Sequence, residues 1–196
     1  MDKGESQHEG DADHEGASKG EQLIAAARGN NTDLLEKIIA SFSNAQEVAQ
    51  LLNNTITPIG NYVYHEAALR GNYEIIDILL DQEGFECDPI SRMEGDTPLH
   101  SAVRFINSLP NSNKSEVENF ARELISMMIE SGSDPRIKNK AKLTPYQLAD
   151  PQNTALRRVI QDAIDAEQNK GDFILENENL DETEYSGHGS ASESDD

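Results

Sequence analysis

The chain has 196 residues, a net charge of −21 and a single cysteine, which suits one folded domain with tails and excludes an intrachain disulfide or a thiolate metal cluster. Such acidity repels a phosphate backbone, so direct nucleic-acid binding is not expected; basic proteins are better candidate partners, and acidity also serves solubility alone. No run approaches the ~20 apolar residues of a membrane helix, and the N-terminus has no apolar leader core, so a soluble cytosolic or nuclear protein is expected.

Taken from the N-terminus, residues 1–20 carry a net charge of −4 with few apolar side chains, and residues 1–19 are expected to be a disordered acidic tail. A folded domain is expected over 20–166. It opens with Leu23-Ile24-Ala25-Ala26-Ala27-Arg28-Gly29-Asn30, followed by a second helical stretch, Leu34-Leu35-Glu36-Lys37-Ile38-Ile39. A long connection from Ser43 to Gly60 contains Ala45–Leu52, whose spacing predicts an additional helix. The pattern then repeats as Tyr62-Val63-Tyr64-His65-Glu66-Ala67-Ala68-Leu69-Arg70-Gly71-Asn72 and Glu74–Leu80. The strings Ala26-Ala27-Arg28-Gly29-Asn30 and Ala68-Leu69-Arg70-Gly71-Asn72 run parallel. The third occurrence is Gly95-Asp96-Thr97-Pro98-Leu99-His100-Ser101-Ala102-Val103, with His100 placed 35 residues after His65. Here the expected turn gives way to residues 106–114, either a functional loop or a tolerated insertion. A helix resumes at about Ser115, a predicted N-cap with Glu118 three residues on, and ends at Gly132, suited to a left-handed cap. Met127-Met128 falls at helical spacing within Leu124–Ile129 and reads as core packing. The fourth occurrence is Leu143-Thr144-Pro145-Tyr146-Gln147-Leu148-Ala149, then a stripe of Leu156, Val159, Ile160, Ala163 and Ile164. Residues 161–196 carry a net charge of −11, so 167–196 is expected to be a second disordered acidic tail. Within it Ser190, Ser192 and Ser194, in a stretch with Glu193, Asp195 and Asp196, are candidate phosphorylation sites, and the apolar–acidic mixture 171–185 can order against a basic partner.

A period near 33 residues carrying Gly-x-Thr-Pro-Leu-His-x-Ala resembles the ankyrin-repeat family. The resemblance implies an all-α solenoid of stacked helix-turn-helix units joined by β-hairpin loops, with units at about 20–58, 59–91, 92–137 and 138–166. By the same resemblance His65, Gly71, Gly95, Thr97, Pro98, Leu99, His100, Gly132, Thr144 and Pro145 hold shape, with each proline at a first helical turn where no N–H is needed. A metal or base role for His65 and His100 is set aside, because no nucleophile or third ligand recurs beside them. Ankyrin stacks bind through hairpin tips and first helices, which points to Glu66, Leu69, Arg70, Arg92, Met93, Glu94, Ser101, Arg104, Lys138, Lys140 and Lys142. The lysine tip either holds the acidic tail in cis or simply solvates the last loop. No catalytic, metal or cofactor site is expected, since no phosphate loop, metalloprotease pair or nucleophile elbow occurs. Cys87 sits between Glu86 and Asp88, which disfavours a reactive thiolate. The expected function is a monomeric, non-enzymatic protein-interaction module. The alternative is an escort for a basic client such as a ribosomal protein or histone, because the plan resembles ankyrin-type chaperones of ribosomal proteins with an acidic tail.

Overall fold

The structure is a computed structural model that describes residues 16–110 and 114–178, with backbone alone for 169–178. The described residues form α1 (Lys19–Gly29), α2 (Thr32–Ile39), α3 (Ala45–Asn54), α4 (Val63–Ala68), α5 (Tyr73–Leu80), α6 (Pro98–Ser108), α7 (Lys114–Glu130), α8 (Pro145–Leu148) and α9 (Thr154–Glu178). Two layers result. The inner layer runs α1, α4, α6, α8 and the outer layer α2, α5, α7, α9, each helix packing on its neighbour in that order. The all-α stack expected from the repeated pattern is the one found.

Helix starts follow from local chemistry. Ser18 and Glu21 form a capping box on α1, Asn31 caps α2 and Asn44 caps α3. Thr97 and Thr144 cap α6 and α8, with Pro98 and Pro145 in the first turn. Small residues let the inner helices approach: Ala26, Ala27, Ala67, Ala68 and Ala102 are buried. Leu35, Ile38, Ile75, Ile76, Leu79, Leu124, Ile125 and Met128 fill the space between the layers, with Met127 half-buried beside them. Burying one Leu or Ile side chain is worth about 1.5–3 kcal/mol, so the apolar stripes hold the layers together.

Several local expectations shift. In the first unit the left-handed residue is Asn30 (φ 50°), and Asn31 N–H bonds to Ala26 O at 3.0 Å. In the second unit Gly71 (φ 62°) takes that conformation and Asn72 N–H bonds to Ala67 O at 3.1 Å. Asn30 therefore matches Gly71, one residue from the alignment of Gly29 with Gly71. Asparagine tolerates the left-handed region, so the glycine is not needed there. The insertion is also shorter than expected: Ile106, Asn107 and Ser108 continue α6, and Ile106 is buried. Ser115 lies inside α7 rather than at its cap. At the other end, α9 runs on to Glu178, past the boundary expected at 166. Charge counting missed this because Ala, Glu, Gln and Lys are strong helix formers even when solvated. Residues 1–15 and 179–196, with Ser190, Ser192 and Ser194, lie outside the described residues.

No strand occurs among the described residues; Ile56 and Tyr62 make an isolated antiparallel bridge. The expected hairpins are instead tight reversals, closed by Thr57 N to Asn61 O (2.8 Å), Ser91 N to Asp96 O (2.9 Å) and Asn139 N to Leu143 O (3.0 Å). Adjacent reversals are joined by Arg92 N to Gly60 O (3.0 Å) and Lys140 N to Glu94 O (2.9 Å). The loops thus form a continuous edge along one side of the stack.

Candidate functional site

The inner helices carry a recurring polar device. His65 accepts the Tyr62 N–H at Nδ1 (3.3 Å), and His100 accepts the Thr97 N–H at Nδ1 (3.2 Å). Each Nε2 therefore bears the proton and donates to a carbonyl of the following loop: His65 to Asp96 O (2.8 Å) and His100 to Leu143 O (3.0 Å). Burial, the largest influence, pushes both imidazoles below their usual value, so they are neutral tethers between units. Gln147 makes the cap, with Oε1 accepting the Thr144 N–H at 3.0 Å.

Two acids sit inside the stack. Glu66 is 2% exposed; it accepts from Arg28 Nε (2.7 Å), Arg70 Nη1 (2.9 Å) and Asn61 Nδ2 (3.0 Å). Asp96 accepts from Arg104 Nε (2.6 Å) and Asn139 Nδ2 (2.7 Å). Burial alone would raise both carboxyls, but these hydrogen bonds and the nearby guanidinium charges outweigh it and hold both below their usual range. Burial pushes the Cys87 thiol up, helped by Asp88, so it is a poor nucleophile. Among the described residues no group of three or more His, Cys, Asp or Glu is placed to hold a metal.

The large apolar side chains left open to solvent lie along the loop edge. The exposed large apolar residues described are Ile56, Ile59, Ile90, Met93 and Leu143. All lie in the reversals or immediately beside them. Ile59, Leu69, Met93, Ser101 and Arg104 line a groove of about 400 Å³ between the loops and the inner helices. Arg92, Glu94, Lys138, Lys140 and Lys142 are exposed on the same loops, Arg104 is open at the groove, and Arg70 is exposed just past the end of α4. Lys140 also reaches back to the carbonyl oxygens of Arg92 and Met93, bracing the neighbouring loop.

Leu69, Arg70, Arg92, Met93, Glu94, Arg104, Lys138, Lys140 and Lys142 thus present surface. Glu66 and Ser101 are buried, and the Glu66 carboxylate is held by its two arginines. The sequence pattern names inner-helix positions without telling which point at the adjacent helix. Ile56, Ile90 and Leu143 escaped notice because a lone apolar loop residue carries no periodic signal.

The family described as ankyrin repeats (3 copies) matches residues 23–112. The ankyrin repeat-containing protein YGL242C of Saccharomyces cerevisiae is 40% identical over 136 residues, spanning 68% of this chain and 71% of that protein. No helix among the described residues is long and apolar enough to cross a membrane.

Proposed function

The chain belongs to the ankyrin-repeat family, whose repeats generally mediate protein–protein interactions, and from that premise we propose that it is a non-catalytic adaptor that docks one protein partner along its loop edge. The carrying observation is the segregation of exposed apolar residues: Ile59, Met93 and Leu143 stand on successive loops, while the acids Glu66 and Asp96 are paired within the stack. Contiguous apolar surface with a charged rim is the usual mark of an interaction face. Affinity purification with the full chain, compared with an Ile59→Asp/Met93→Asp variant of unchanged melting temperature, tests the reading. Partners recovered by the wild type should fall at least about tenfold with the variant, equivalent to about 1.4 kcal/mol. Equal recovery overturns the docking face.

A second reading rests on the net charge of −11 over residues 161–196. The acidic segment would mask a basic client, such as a ribosomal protein or histone, in the cytosol or nucleus. Capture should then weaken steeply between about 50 and 300 mM salt as screening shortens. Salt-insensitive capture excludes it.

A further inference from the structure

We propose that residues 179–196 of the chain dock in cis on its own cationic loop edge, leaving it to be exposed when a partner displaces them. The inference rests on that edge being the docking face proposed above and assigns it an occupant from within the molecule.

Charge complementarity is the first argument. The last loop presents Lys138, Lys140 and Lys142 to solvent, and its neighbour presents Arg92. Glu66 and Asp96 are buried against arginines, which leaves Glu94 as the exposed acid on these two loops against Arg92 and the three lysines. Residues 179–196 hold six acids and no Lys or Arg. Apolar content matches as well. Leu180 and Tyr185 bracket Asp181, Glu182 and Glu184 in sequence, and the loops expose Met93 and Leu143 beside their cations.

Delivery is the second argument. Helix α9 packs along α7, and Ala166 and Glu167 share a cleft with Glu130 and Gly132 at the end of α7. Glu167 lies close enough to act on the charge of Arg136, which opens the last loop. Helix α9 therefore passes the foot of the lysine-bearing loop before residues 179–196 begin. Eighteen residues span up to roughly 60 Å when extended, enough to reach back over the neighbouring loops. Tethering gives an effective concentration on the order of millimolar, so a weak contact suffices.

The chain contains no tryptophan, so Tyr185→Trp in the full chain supplies a unique reporter. At low salt its emission should be blue-shifted and its acrylamide quenching constant about threefold below that of the urea-unfolded chain. Adding 0.5 M NaCl, or introducing Lys138→Glu and Lys142→Glu, should return both to solvent-exposed values while the melting temperature stays within about 3 °C. A solvent-like indole signal at low salt overturns the proposal, as does a blue shift that salt and the lysine changes leave intact. A shift that grows with protein concentration assigns the contact to a second copy and overturns the cis form. If Ile59→Asp/Met93→Asp abolishes partner capture while the reporter remains solvent-exposed, the docking face stands and this inference alone falls.

Discussion

His65 and His100 show how one side chain can join two repeats. Each ring caps its own helix through Nδ1 and grips the next loop through Nε2. Both rings are held neutral, and their folded values lie below the unfolded value of about 6.5. At pH below about 6.5 the unfolded chain takes up more protons than the folded one, so this part of the stability is complete above that pH and declines as pH falls. The midpoint of urea unfolding should therefore drop between about pH 7 and 5. His100→Gln should flatten that slope, because Gln can keep the Thr97 cap as Gln147 does for Thr144. It should also cost about 1–3 kcal/mol at pH 7.5, since the Leu143 carbonyl loses its donor. The two buried carboxylates act in the same direction at lower pH. Their folded values are depressed, so their contribution is present above about pH 4.3 and lost as pH falls through the folded values. Glu66 accepts from two guanidiniums, so Arg28→Ala and Arg70→Ala should be non-additive. Either single change leaves one partner, while the double change strands a buried charge and should cost about 3–5 kcal/mol in denaturant unfolding.

At the element scale the reversals share one conformational demand. Gly60, Gly95 and Lys142 occupy matching positions with φ of 87°, 68° and 64°. At Gly95 a Cβ would stand 2.8 Å from Lys140 Cγ and 3.1 Å from Lys140 N. Gly95→Ala should therefore destabilise by about 1–2 kcal/mol through backbone strain and contact. Lys142→Gly should raise the melting temperature, by an amount equivalent to at most about 1 kcal/mol, because a β-carbon is relieved of that strain. Thr-Pro-Leu-His was legible in the sequence because capping and burial fix its spacing. Gln147 and Lys142 were less so, because a final unit tolerates substitutes that an interior one does not. The continuation of α6 through Asn107 and Ser108 was hidden by residues of modest helix propensity. There packing decides: Phe105 of α6 covers Gly71, where a Cβ would lie 2.1 Å from its ring. The apolar loop edge was legible only in part, since Met93 was noticed but alignment with Ile59 and Leu143 depends on how the loops stack.

Across the whole molecule, stability is the sum of units and the interfaces between them. Leu79 contributes to the interior of α5, and Leu124 to α7, which packs against both α5 and α9. Truncating either to Ala should cost about 2–5 kcal/mol in urea denaturation, a large share of a total near 5–15 kcal/mol. The tethers also have a direction: the rings of His65 and His100 both reach forward, to carbonyls that come later in the chain. During synthesis, a ribosome that has released the second repeat but not the third leaves the His65 ring without its acceptor. Closure of the second and third repeats must wait for the next unit to emerge, so this part of the nascent stack matures one step behind translation.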